Sequence, residues 1–142
     1  MNIEVDSTAK CYASDEIIIN SSIENVFEIL SDINNWTKWQ SNVSKSAIIG
    51  DIEPGKKFNW KAGGLNIKSQ LHTVNPYEEI GWTGRIWWIT AIHNWHLIKE
   101  NGKTRVRVEE SLKGIGSSGM RNALKEGISK SLKELKEIAE RG

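Results

Sequence analysis

EIGWTGRIWWITAIHNWHLIKENGKTRVRVEES, residues 79–111, decides how this chain folds. Asn101-Gly102 within it is a two-residue hairpin signal, because both residues tolerate the positive φ that a type I′ turn demands. Counting outward from that turn sets Leu97 against Val106, Trp95 against Val108 and His93 against Glu110. All six share one face, since strand side chains alternate. A preceding strand adds Ile80, Trp82, Gly84 and Ile86 to the same side. An imidazole and a carboxylate therefore meet among tryptophans, in an interior that is apolar but carries ionisable groups.

Working outward, Lys10 to Asn20 reads as a first strand, and residues 1–9, without periodicity, read as frayed. Ser21-Ser22-Ile23-Glu24 has the form of a capping box with Ser21 as the cap. Ile23, Val26, Phe27 and Leu30 then repeat at helical spacing, and a second helical turn runs through Trp36 to Trp39. Strands follow at Val43–Ile49, Lys57–Ala62 and Leu65–Val74. The second of these places Phe58, Trp60 and Ala62 inward, and the third Ile67, Ser69 and Leu71. Asn75-Pro76-Tyr77-Glu78 fits a type I turn. Beyond the hairpin, Gly114 to Gly119 is a flexible connection with Ser117 or Ser118 as the cap of a terminal helix. Its apolar stripe is Met120, Ala123, Leu124, Ile128, Leu132, Leu135, Ile138 and Ala139. Gly127 interrupts the stripe, which favours packing on the sheet over a coiled coil.

The chain is 142 residues long, enough for one domain with a single core. A net charge of +1 gives no overall electrostatic footprint for nucleic acid or an anionic membrane. One cysteine, Cys11, cannot form an internal disulfide, and the N-terminus lacks a signal-peptide run, so a reducing, cytoplasmic setting is expected. No apolar run is long enough for stable membrane insertion. Seven Trp stand against two Phe and two Tyr, a skew toward a side chain that serves pocket walls as well as cores.

Together these elements make an α+β arrangement in which an antiparallel sheet curls around the terminal helix. Their order resembles the START-like (SRPBCC) superfamily, and within it the polyketide cyclase/dehydrase-like family. The resemblance runs from Tyr12 to Arg141 and rests on SIENVFEILSDINNWTKW, PGKKFNW, VNPYEEIGW, AIHNWHL and GKTRVRVEESLKG. Asp32, Trp36 and Trp39 stand in family-like positions. The resemblance implies a helix-grip fold: a curved sheet wrapped around the C-terminal helix, with a deep cavity between them. Members of the superfamily bind lipids, sterols, polyketides, quinones or plant hormones, and some catalyse cyclisation or dehydration, so the fold alone does not choose. The sequence departs from many relatives at Ile86-Trp87-Trp88-Ile89.

On this reading the chain binds a small, largely apolar molecule of lipid, polyketide or aromatic type. Phe58, Trp60, Leu71, Trp82, Trp95, Val108 and Met120 form the walls, and His93 and Glu110 are the polar anchors. The alternative is a cyclase, aromatase or dehydrase-like enzyme in which His93, oriented by Glu110, moves a proton. A plainer account has the two groups satisfy one another structurally. His93 and His96 fall on opposite faces and His72 points outward, so no metal site is expected and no cofactor is implied. Ser69 and Ser111 lack an adjacent base. Gly114 to Gly119 lacks the Lys-Ser/Thr ending of a phosphate loop. Lys103, Arg105 and Arg107 form a solvated outer row without the stacking platform of an RNA site, so no nucleic acid is expected. Trp87-Trp88 could guard the cavity mouth, touch a membrane or form a homodimer contact, with the mouth or the subunit contact favoured.

Overall fold

The computed structural model describes residues 3–141. Its sheet contains β1 (Cys11–Ile19), β2 (Val43–Ile48), β3 (Lys57–Ala62), β4 (Leu65–Asn75), β5 (Glu79–Ile86), β6 (Ile89–Glu100) and β7 (Lys103–Lys113). All pairings are antiparallel, in the order β1-β7-β6-β5-β4-β3-β2. Helix α1 (Ile23–Ser31) and a 3₁₀ turn (Ile33–Lys38) lie between β1 and β2, and a second 3₁₀ turn (Ser117–Met120) leads into α2 (Arg121–Glu140). This is the helix-grip arrangement, a curved open sheet holding a C-terminal helix.

The central hairpin has the register set by its turn. Asn101 and Gly102 take φ of 52° and 79°, and Leu97 pairs with Val106, Trp95 with Val108 and His93 with Glu110. Because β6 also pairs with β5, Trp82 sits opposite His93 on its other side.

Two halves of the concave space differ. In one, α1 contributes Val26, Phe27 and Leu30, the 3₁₀ turn contributes Ile33 and Trp36, and α2 contributes Ile128, Leu132, Leu135 and Ala139 to one continuous core. Each fully buried side chain of this size stabilises the fold by about 1.5–3 kcal/mol relative to exposure. Trp36 also donates its Nε1–H to the Leu30 carbonyl (2.9 Å), which locks the 3₁₀ turn under α1. In the other half, facing the first turns of α2, space remains.

Several local expectations shift. Ser22, not Ser21, caps α1, accepting from the Asn25 amide (3.2 Å). Ser21 is used one step earlier, its amide bonded to the Ile19 carbonyl (2.9 Å) in a tight exit from β1. Neither Ser117 nor Ser118 caps α2: both lie in the preceding 3₁₀ turn, which Gly116 enters at φ 87°. Tyr77 takes φ 66°, outside a type I turn, and its ring packs edge-on against Phe27 at 5.6 Å.

Fraying was expected at residues 1–9. Met1 and Asn2 lie outside the described residues, but the segment from Ile3 onward is tied across the outer face of the sheet. The Ile3 amide donates to His72 Nδ1 (3.2 Å), Asn94 Nδ2 donates to the Ile3 carbonyl (2.8 Å), and the Asp6 amide donates to Ser111 Oγ (3.3 Å). His72 does face outward, yet it is buried beneath this strap. Since its Nδ1 accepts, its Nε2–H donates to Asn94 Oδ1 (2.8 Å). Gly81 makes this possible: a Cβ there would lie 2.4 Å from Asn94 Oδ1.

Candidate functional site

A cavity of about 250 Å³ lies between the sheet and the N-terminal half of α2. That volume is far beyond a single water site and sits near the lower end of small-molecule pockets. Small residues keep it open. Gly84 stands opposite Ala91, and one of the α2 residues facing the space is Gly127, where a Cβ would meet nothing within 4 Å. The glycine that interrupts the helical stripe therefore marks where the helix stops filling the core and begins lining a cavity.

Of the nine residues expected at the site, Trp60, Trp82, His93, Trp95, Glu110 and Met120 line the cavity. Phe58, Leu71 and Val108 do not. They face inward as alternation requires, but they belong to the half of the sheet that α1, the 3₁₀ turn and the end of α2 already cover. Facing was legible from strand period; which inward positions would be covered depended on helix placement. Trp36, Gln40, Leu124 and Ser131 are lining residues that strand reading missed, and Ile86, which it placed inward, was not counted among the walls. The helical stripe did name Leu124, and a small or polar residue on it, as at Gly127 and Ser131, was the available signal for the helix side of the lining.

The walls carry an aromatic column with the imidazole inside it. Trp36 contacts Trp60 (5.2 Å) and Trp82 (5.1 Å), and Trp82 stacks on His93 with centroids 4.7 Å apart and planes 9° from parallel. Trp95 follows at 5.7 Å from the imidazole. His93 Nδ1 is hydrogen-bonded to Glu110 Oε1. A carboxylate only accepts, so Nδ1 carries the proton and, in the neutral ring, Nε2 presents a lone pair. His93 Nε2 and Trp95 Nε1 are both buried and, among the described residues, have no hydrogen-bond partner. Trp39 Nε1 shares that condition but does not line the cavity. An unpartnered buried polar atom costs about 1–3 kcal/mol, and here two occur on neighbouring side chains that line the cavity.

Other reactive groups are engaged elsewhere. Ser69 Oγ accepts from Trp60 Nε1 (3.0 Å), and Ser111 lies on the outer face beneath the strap. Burial, reinforced by the nearby Glu110 charge, pushes the Cys11 thiol above its ordinary value, which keeps it protonated and unreactive. His96 stands on the outer face between Glu79 (3.8 Å) and Glu109 (3.3 Å). Among the described residues no group of three or more His, Cys, Asp or Glu side chains could hold a metal ion, and no helix is long and apolar enough to cross a membrane.

A family model described as polyketide cyclase / dehydrase and lipid transport matches residues 10–140. The chain belongs to this family. No curated protein matches the sequence. Among solved structures, the chain is similar to the hypothetical protein jhp0584 from Helicobacter pylori, with a TM-score of 0.87 at 15% identity over 98% of each chain. It is similar to a START superfamily protein from Mycobacterium smegmatis, with a TM-score of 0.76 at 13% identity over 92% of this chain and 97% of that one. It also matches the di-domain ARO/CYC StfQ from the steffimycin biosynthetic pathway, with a TM-score of 0.77 at 12% identity over 92% of this chain and 51% of StfQ. At such identities the likeness is one of fold, and a START-like, polyketide cyclase-like fold is compatible with ligand binding or with cyclase chemistry.

Proposed function

We propose that the chain binds a compact, largely apolar molecule of lipid, polyketide or aromatic type that carries a hydroxyl group, in the cavity between the sheet and α2. The observation that carries this reading is the pair of unpartnered nitrogens on β6. Trp95 Nε1 can only donate, and His93 Nε2, with Nδ1–H committed to Glu110, accepts. One ligand hydroxyl meets both needs, accepting from the indole and donating to the imidazole, while the aromatic column takes the apolar frame. The free, buried Cys11 suits a reducing, cytoplasmic setting.

A second reading draws on the same geometry. An imidazole held by a carboxylate, whose second nitrogen has no protein partner among the described residues, has the chemistry of a general base for cyclisation or dehydration. The likeness to an ARO/CYC protein supports keeping it.

Native mass spectrometry of the purified protein tests for a copurified ligand, and quenching of tryptophan emission by 2-naphthol and by naphthalene tests the polar contact. The hydroxylated probe is expected to bind at least roughly fivefold more tightly, the worth of one net hydrogen bond, and His93→Leu, which leaves only the indole bond, should reduce that difference. Equal affinity for the two probes in the unaltered protein would sink the hydroxyl assignment. His93→Gln separates binder from enzyme: a catalyst loses turnover while keeping affinity, whereas a binder has only affinity to change.

A further inference from the structure

The balanced net charge conceals a division of the outer face of the sheet. Over β1, β6 and β7 the arginine cations are matched by carboxylates: Arg105 pairs with Glu100 (2.7 Å) and Glu16 (3.2 Å), and Arg107 with Glu109 (3.2 Å). Over β2 to β5 the cations are not. Lys45, Lys61, Lys68 and Arg85 line one groove, and among the described residues none of them has a carboxylate within ion-pair distance. Their register makes this costly, since Lys45 lies directly across from Lys61 and Lys68 directly across from Arg85, and like charges in direct cross-strand positions repel.

Trp87 lines the same groove and leads to an apolar tip. Trp87 and Trp88 are 68% and 60% exposed, and Trp88 Nε1 donates to the carbonyl of Ile115 (2.8 Å), itself 84% exposed. Trp87 sits at φ 54°, a conformation that glycine would take without strain and a bulky residue rarely adopts. Ile86 and Ile89, which flank the two indoles in sequence, line the cavity.

We propose that this groove and tip form a peripheral docking surface for an anionic lipid bilayer. Trp87, Trp88 and Ile115 enter the boundary between headgroups and acyl chains, where indoles concentrate, while Lys45, Lys61, Lys68 and Arg85 face headgroup phosphates. Charge complementarity selects this partner. A twofold contact between copies of the chain would bring the four cations against their own equivalents. The two indoles stack on each other, centroids 5.9 Å apart, instead of standing apart as platforms for bases. The surface is independent of what the cavity binds.

The experiment is cosedimentation of the purified chain with vesicles of phosphatidylcholine alone and of phosphatidylcholine mixed with phosphatidylserine, with tryptophan emission recorded in parallel. Binding to the anionic vesicles alone, a blue shift, and weakening by added salt are expected. Lys61→Glu/Lys68→Glu should reduce partitioning by more than tenfold, at about fivefold for each cation lost. Trp87→Ser/Trp88→Ser should abolish the blue shift. Trp87→Gly relaxes the backbone, so it should weaken docking while leaving the melting temperature unchanged or raised. Equal binding to neutral vesicles, no binding to either, or binding unmoved by both double variants overturns the proposal. So does an RNA complex lost on Lys61→Glu/Lys68→Glu, or a dimer lost on Trp87→Ser/Trp88→Ser, in a protein that ignores vesicles.

Discussion

Trp82 lies flat on His93, with ring centroids 4.7 Å apart, and Glu110 holds the opposite side of the same imidazole, so the ring cannot turn without breaking one contact or the other. The polar element of the cavity is thus fixed before any ligand arrives, which lowers the ordering cost of binding. Removing one partner should be worse than removing both. Glu110→Ala leaves a buried imidazole N–H unsatisfied and is expected to destabilise the fold by about 1–3 kcal/mol in urea titration, whereas His93→Leu/Glu110→Leu should recover most of that loss. A double variant no more stable than Glu110→Ala would show that packing, not the hydrogen bond, sets the cost.

Gly127 separates stability from binding. Gly127→Ala should stabilise α2 by about 1 kcal/mol through helix propensity, because nothing obstructs the added methyl. Gly127→Phe should fill the cavity and exclude 2-naphthol while the protein stays folded. Chemical denaturation and quenching titrations, run on the same preparations, report the two effects.

At Gly81 the opposite holds. An added methyl would collide with Asn94 and His72, so Gly81→Ala should cost about 1–3 kcal/mol, the usual penalty for overpacking. Because those side chains also hold Ile3, amide exchange in the N-terminal strap should accelerate alongside the stability loss.

Acid should loosen that strap at its other anchor. Hydrogen bonds from Thr8, then Lys113, hold the Asp6 carboxyl at about 2, below its ordinary 3.8. A carboxylate whose pKa is depressed by folding contributes stability that is present above its unfolded value and lost as pH falls through the folded one. Asp6 therefore supports the fold above about pH 4 and ceases to do so as pH approaches 2. Asp6→Asn should flatten the pH dependence of stability across that window, read from melting temperatures in buffers of constant ionic strength.

Cys11, with its thiol pushed up by burial, should resist iodoacetamide at pH 8 in the native protein and react readily in guanidinium. Rapid native labelling would contradict its burial at the start of β1, against Ile89 and Leu112.

How far the sequence reached can be argued from particular residues. Asn101-Gly102 determines pairing through local sterics alone, so His93, Glu110, Trp95 and Val108 could be aligned without knowing the rest of the fold, the apolar stripe supplied the helix, and the family resemblance supplied the cavity beneath it. Coverage was not local. Phe58, Leu71 and Val108 are as inward and apolar as Trp60 and Trp82, and only the resting place of α1 and the end of α2 separates wall from core. The strap was hidden for a similar reason. Residues 3–9 have no period because they are held by side chains of three distant strands, through His72, Asn94 and Ser111, and not by a ladder of their own. Charge segregation was invisible to net charge, since it arises from strand register.

The strand order also sets a schedule. β1, the first strand made, has β7, the last, as its partner in the sheet, with Cys11 against Leu112 and Ile19 against Thr104. Its ladder must wait until the chain has been synthesised past Lys113, and closing so long a loop belongs to the slow, non-local part of folding. The hairpin that carries His93 and Glu110 uses the same last strand but closes over a two-residue turn, with little loop entropy to lose. The pairing of His93 with Glu110 therefore forms early and the enclosure late, and the folding chain brings the two groups together before it has the walls to keep water out.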